Sequence, residues 1–205
     1  MIVIIDFGIG NIGSILNMLK KLGGAAICSA DRDTIKNADK LILPGVGSFD
    51  HAISKLKASG LVQILNRLVL ERQTPILGIC LGMQLFAKKS EEGKIKGLGW
   101  IDATVKRFDF EEGVSNLKIP HMGWNRVEIQ KEIILFDGMP DNHRFYFVHS
   151  YHLECHGEGN VAGLTRYGYP FVSMIRKGNI FGVQFHPEKS HRYGMQLLKN
   201  FAEIS

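Results

Sequence analysis

The sequence predicts a single-domain α/β fold over residues 1–205, an open, mostly parallel mixed sheet flanked by helices. Three observations carry that expectation. Short apolar runs at residues 2–6, 40–43 and 75–79 each pass through glycine into a stretch with helical spacing, the alternation of a parallel α/β core. The second half instead strings together short strand-like segments, which add antiparallel strands to such a sheet. No Ser/Pro/Gly-rich linker, repeat or low-complexity segment divides the chain.

Composition sets the outer limits. With 205 residues, 45% hydrophobic and 22% charged, the chain can build a full core without disulfides or metals. No apolar run approaches the ~18 residues that span a membrane. The start, Met1-Ile2-Val3-Ile4-Ile5-Asp6, is too short and lacks the basic residues of a signal sequence. Cys28, Cys80 and Cys155 are odd in number and lack CxxC spacing, which points to a reducing, cytoplasmic setting. Net charge is +5, but Lys and Arg are scattered, with adjacent lysines only at Lys20-Lys21 and Lys88-Lys89. A solvated basic surface is expected, with neither nucleic acid nor membrane as partner.

In chain order, residues 2–6 form a buried strand, followed by Gly8-Ile9-Gly10-Asn11-Ile12-Gly13 and a helix to Leu22. The glycines match G-x-G-x-x-G between strand and helix, with Asp31 and Asp33 near the distance of a ribose contact. Any tight turn with close helix packing wants the same glycines. The segment therefore reads either as a dinucleotide cradle or as a plain turn at the sheet edge where open α/β folds place ligands. Residues 40–43 form the next strand, running into Pro44-Gly45-Val46-Gly47-Ser48 and a helix through Leu56. That glycine pair makes either an ordinary turn or a backbone N–H nest, half of an oxyanion hole. Leu61, Ile64, Leu65, Leu68 and Val69 mark a second helix over residues 61–71.

Gly78-Ile79-Cys80-Leu81-Gly82 is a thiol version of the G-x-S-x-G nucleophile elbow, in which a sharp strand-to-helix turn lifts the nucleophile above the sheet. Residues 80–86 carry the helical spacing, and the helix start offers N–H donors to a thiolate or oxyanion. The competing reading is a buried cysteine packing as a small hydrophobe. Residues 88–94 read as a loop, and strands follow at 103–108, 127–129, 145–149, 161–165, 171–175 and 180–185. Residues 119–125 are expected to expose His121 and Trp124 beside turn formers. His149, His152, Cys155 and His156 alternate along extended chain and would not converge on a metal without a sharp bend, so no metal site is expected there. His186-Pro187-Glu188 closes the last strand. Proline fixes the backbone and Glu188 can turn back to the imidazole, which completes a nucleophile, base and orienter in the order Cys80, His186, Glu188.

These residues together resemble the class I (triad) glutamine amidotransferases, and within them the branch of the glutaminase subunit of imidazole glycerol phosphate synthase. The resemblance covers essentially the whole chain. It rests on Leu43–Gly47, Gly78–Gln84, Pro120-His121-Met122-Gly123-Trp124-Asn125, Tyr146–Tyr151 and Gln184–Ser190. It implies hydrolysis of L-glutamine by Cys80, His186 and Glu188, without metal or organic cofactor. Backbone N–H groups of Leu81 and of Val46 or Gly47 would form the oxyanion hole, with Gln84, Ser150 and Tyr151 around the substrate. It further implies a heterodimer with a (β/α)₈-barrel subunit that uses the ammonia to make imidazole glycerol phosphate and AICAR, docked near Asn11, Trp124, Tyr146 and Lys189. His191 stands where many members of that branch have glycine, and His191–Met195 is similar to a paralogous branch that amidates surface-polysaccharide sugars. A free-standing Cys hydrolase on the same fold is the further alternative.

Overall fold

The computed structural model describes residues 1–110 and 117–204. β1 (Ile2–Ile5) leads to α1 (Ile12–Lys21), β2 (Ala26–Ser29) to α2 (Arg32–Lys36), and β3 (Lys40–Gly45) to α3 (Phe49–Ala58). α4 (Val62–Asn66) continues as a π-helical turn, Arg67–Glu71, before β4 (Ile76–Cys80) and the one-turn helix α5 (Leu81–Gln84). Strands then dominate: β5 (Lys89–Ser90), β6 (Ala103–Arg107), β7 (His121–Asn125), β8 (Glu128–Ile129), β9 (Phe145–His149) and β10 (Tyr151–Cys155). β11 (Val161–Tyr167), β12 (Tyr169–Lys177) and β13 (Ile180–Val183) follow, and α6 (His191–Glu203) closes the chain.

Among the described residues one sheet runs β2-β1-β3-β4-β13-β12-β10-β6-β5, with β11 and β8 branching from β12. The strands from β2 to β13 are parallel. Beyond them β12 and β10 are added antiparallel, as the strand-rich second half suggests. β7 and β9 pair separately as a two-stranded ribbon. The expected open mixed sheet is borne out. Its period-2 alternation fills two cores. Val3, Ile5, Leu41 and Leu43 face α2, α3 and α4, whereas Ile2, Ile4 and Ile42 face α1 and α6. Burial on both faces is why the central strands read as unbroken apolar runs.

Some elements differ from the sequence reading. The 88–94 loop contains β5, which holds the far edge of the sheet through β6. β2 and α2 carry no periodic signal because they are only 4 and 5 residues long. His121 is buried inside β7 rather than exposed, while Trp124 is exposed as expected. Strand 145–149 does not simply end. The chain leaves the ribbon at Ser150 and enters the main sheet as β10.

The parallel register sets the C-terminal ends of β1, β3 and β4 side by side, and their loops touch. A β-carbon on Gly10 would lie 2.8 Å from the Pro44 ring, and one on Gly82 would lie 1.9 Å from the Leu43 carbonyl oxygen. The glycine-rich turn after β1 is thus seated on the end of β3, which in turn presses on α5. Gly82→Ala is expected to lower unfolding stability by about 2–3 kcal/mol through this overlap with backbone. Gly13→Ala, in α1 with nothing within 4 Å of the new carbon, should leave stability unchanged or raise it by up to about 1 kcal/mol. Urea midpoints of the two variants check the contrast.

Candidate active site

β4 ends at Cys80 and α5 begins at Leu81, with no connecting residue. The whole reversal therefore falls on Cys80, whose dihedrals are φ 55° and ψ −112°. A side-chain-bearing residue holds such a conformation only at a cost of about 1–3 kcal/mol. The thiol sits on the floor of a cleft of about 370 Å³. That cleft gathers the expected residues: Val46, Gly47, Cys80, Leu81, Gln84, Ser150, Tyr151, His186 and Lys189 all line it.

His186 lies three residues beyond β13, where its backbone is pinned on both sides. Its N–H donates to the Tyr146 carbonyl at 2.9 Å. Ser190 Oγ donates to the His186 carbonyl at 2.6 Å and accepts the Tyr146 N–H at 3.0 Å. The 3₁₀ turn Pro187–Lys189 returns Glu188 beneath the ring, and His186 Nδ1 donates to Glu188 Oε1 at 2.9 Å. This commitment leaves Nε2 as the ring nitrogen available for a thiol or leaving group. The two side chains are 3% and 1% exposed. Burial alone would push the imidazole down, but the hydrogen bonds and charges of Cys80 and Glu188 outweigh it and raise the ring to about 10. At neutral pH the ring is an imidazolium. Glu188 Oε2 has no hydrogen-bond partner among the described residues, so this carboxylate is balanced chiefly by the ring it holds.

Gln84 is buried, and its Nε2 donates both to the Tyr151 carbonyl at 2.9 Å and to Gln184 Oε1 at 3.0 Å. Its amide nitrogen is thus fully committed, and only its oxygen remains to offer a substrate. Two residues without a role in the sequence reading also belong to the site. Gln184 is fully buried with Nε2 3.6 Å from Cys80 Sγ. Its signal in the sequence is its place two residues before His186, which puts both side chains on one side of extended chain. Glu92 lines the cleft after β5, and its Oε2 accepts the Phe49 N–H at 2.7 Å at the start of α3. Its position inside a polar run conceals that role in the sequence.

The histidine group is structural. His149 Nδ1 donates to the Tyr151 carbonyl at 2.8 Å, and His121 Nδ1 meets His149 Nε2 at 3.2 Å. Burial lowers His121 to about 4 and holds His149 well below the ordinary imidazole range. The turn at Ser150 is the bend that brings His149 and His152 together, both on the ring of Phe108. His156 instead faces Asp102 and Thr104 at the surface. Among the described residues no group of three or more His, Cys, Asp or Glu side chains could hold a metal.

Trp124 and Tyr146 are opposite one another on β7 and β9 with ring centroids 6.1 Å apart, and Lys189 Nζ lies 5.7 Å over the Tyr146 ring. Asn11 stands at the cap position of α1, and α1 packs on the Pro187–Lys189 turn. Asp31 is used locally: its Oδ1 accepts the Thr34 N–H at 2.8 Å as the cap of α2, while Asp33 pairs with Lys36.

A family model described as glutamine amidotransferase class-I matches residues 3–204. The chain is 52% identical over 201 residues to the imidazole glycerol phosphate synthase subunit HisH 2 of Methanococcus maripaludis, covering 98% of each chain. It is 48% identical over 204 residues to the protein of the same description from Pseudomonas aeruginosa, covering 100% of each. A crystal structure of a candidate GMP synthase subunit from Thermoplasma acidophilum superposes with a TM-score of 0.71 at 23% identity, over 98% of this chain and 91% of that one, a likeness of fold.

The His186–Glu188 pair makes a titration prediction. NMR of the His186 ring should find it protonated through neutral pH, titrating near about 10 in the parent, and clearly lower in Glu188→Gln, which removes the anion. Because the folded value exceeds the ordinary 6.5, the stabilisation is complete below that pH and is lost as pH rises toward the folded value. The melting-temperature gap between the parent and Glu188→Gln should accordingly narrow over that window.

Proposed function

The chain belongs to the class I glutamine amidotransferase family, and on that premise we propose that it is the glutaminase subunit of imidazole glycerol phosphate synthase, releasing ammonia from L-glutamine for histidine biosynthesis. The observation that carries the chemistry is the meeting of Cys80, His186 and Glu188 at one cleft. The pathway follows from full-length similarity to proteins described as HisH. Those descriptions favour the histidine branch over sugar amidation or a free-standing hydrolase.

In this reading, Cys80 Sγ attacks the side-chain amide carbon and forms a tetrahedral oxyanion. The C–N bond breaks, His186 Nε2 gives its proton to the departing nitrogen, and a γ-glutamyl thioester and ammonia result. Water then adds to the thioester with His186 as base, the C–S bond breaks, and glutamate leaves with the thiolate restored. Glu188 holds the ring's tautomer and balances its cation. The reaction needs no metal or organic cofactor, because covalent catalysis suffices for the amide. Gln84 offers its amide oxygen, and the Ser150–Tyr151 backbone frames the amino-acid end of glutamine. Glu92 supplies a carboxylate suited to the α-ammonium group.

Leu81 N–H at the start of α5 is one oxyanion donor, and the N–H of Val46 or Gly47 is the second. Val46 and Gly47 are exposed, and Gly47 has φ +94°. Gly45 is held against Gly82, where a β-carbon would meet the backbone nitrogen at 2.7 Å. The freedom to turn a donor into the cleft therefore lies at the Val46–Gly47 peptide. The partner is a (β/α)₈-barrel synthase subunit in a cytoplasmic heterodimer whose joint reaction is a lyase step. It docks on the loop edge at Asn11, Trp124, Tyr146 and Lys189, and a protected passage delivers the ammonia.

Cys80→Ser should abolish glutamine-dependent turnover of the complex while ammonia-dependent synthesis persists, and His186→Ala should lower kcat more than Glu188→Ala does. Paired assays with glutamine and with ammonium salt decide this. The isolated chain should be nearly inactive and rise by about 10²-fold with partner and acceptor substrate, the cost of one misaimed oxyanion donor. Lys189→Glu or Tyr146→Ala should reduce that stimulation more than it raises the KM for glutamine.

A further inference from the structure

We propose that Gln184 is a hydrogen-bond donor to the catalytic sulfur, oriented by a one-way chain of amides that begins at the Tyr151 carbonyl. The proposal rests on the reading of Cys80 as the nucleophile and adds a third partner to it besides His186 and the helix start. A peptide carbonyl can only accept, so the Gln84 atom 2.9 Å from the Tyr151 oxygen must be its nitrogen. That same nitrogen lies 3.0 Å from the Gln184 amide, which must therefore present its oxygen. Gln184 then has one orientation left, with Nε2 toward Cys80 Sγ at 3.6 Å, a separation suited to the larger sulfur atom. Reversing Gln184 would set two NH₂ groups against each other and a carbonyl oxygen against the sulfur. Gln84 is 4% and Gln184 0% exposed, so no bulk water can relieve such a clash.

The start of the chain is itself fixed. His149 Nδ1 donates to the same Tyr151 carbonyl at 2.8 Å. His121 meets His149 Nε2 at 3.2 Å, and Asn125 Nδ2 meets His121 Nε2 at 3.3 Å. Tyr151 N–H and carbonyl belong to β10, which lies in register with β6. The backbone of Gln184 is held as well, its N–H donating to the Ser173 carbonyl at 2.9 Å. An acceptor at one wall of the cleft thus dictates which end of a side chain touches the nucleophile on its floor. A donated N–H favours the anionic sulfur and limits the directions Sγ can take, so its main effect belongs on kcat rather than on substrate affinity.

The test is alkylation of Cys80 by iodoacetamide in the full chain across about pH 4–10, located by peptide mass spectrometry, together with steady-state glutaminase kinetics of the complex. The charged and titratable groups lining the cleft around the sulfur are His186, with Glu188 behind it, His149, Tyr151, Glu92 and Lys189. None of these is altered in the variants. Gln184→Met and Gln184→Leu both remove the donor at similar volume. Both should move the alkylation midpoint to higher pH by about one unit, a tenfold change in the thiol's ionisation constant. kcat should fall by a similar factor while KM stays within about twofold. Gln84→Met, which frees Gln184 to reverse, should move the midpoint in the same direction by a smaller amount. A cooperatively melting Gln184 variant whose alkylation profile superimposes on the parent's would overturn the proposal, as would a change confined to KM. If the protein did not hydrolyse glutamine at all, the alkylation profiles would still decide the role of Gln184. Failure of the glutaminase reading and failure of this proposal are therefore distinguishable.

Discussion

A strand and a helix that meet with no residue between them force the chain to reverse within the dihedrals of Cys80. Much of the local architecture follows from this constraint. The reversal drives α5 onto the end of β3, so the facing positions, Gly45 and Gly82, have no room for a side chain. It brings the start of α5 to the cleft and presents the sulfur among the loops that line it. The strain is sustained because β4 is an interior strand, paired in register with β3 on one side and β13 on the other.

His186 reaches the same point from the neighbouring strand, held by backbone contacts rather than by packing of its ring alone. Tyr146 on β9 and the hydroxyl of Ser190 bracket the His186 peptide. One consequence appears at the start of α6. His191 adopts φ +48°, a conformation glycine holds without strain, and stacks on Trp124 with an interplanar angle of 11°. The departure from glycine seen in the sequence is therefore accommodated by a ring contact on the exposed face of β7. His191, Trp124, Tyr146 and Lys189 are joined by consecutive ring and cation contacts, so the proposed docking residues and His191 share one patch.

The elbow and the His-Pro-Glu turn are legible in sequence because each compresses its geometry into a few adjacent residues whose types seldom meet by chance. The parallel core is legible for a related reason, since strands buried on both faces show as apolar runs. β7 is not legible because its pattern is inverted. His121 points inward and is 3% exposed, while Met122 and Trp124 are 61% and 41% exposed, so polarity indicates the wrong side. β10 is hidden by the change of sheets at Ser150, a long-range event with no local signature. Glu92 escapes for the same reason, its role arising from a contact with Phe49 43 residues away, and Gln184, though two residues before His186, meets Cys80 only across 104 residues.

The central claim is that the strained cysteine carries the glutamyl group during turnover. Rapid acid quench of the complex turning over glutamine, followed by mass spectrometry of the Cys80 peptide, tests it most directly. The account predicts a γ-glutamyl adduct on Cys80 that is lost on treatment with hydroxylamine and accumulates when deacylation is slowed. Glutamate and ammonia produced at full rate with Cys80 unmodified at every quench time would contradict it.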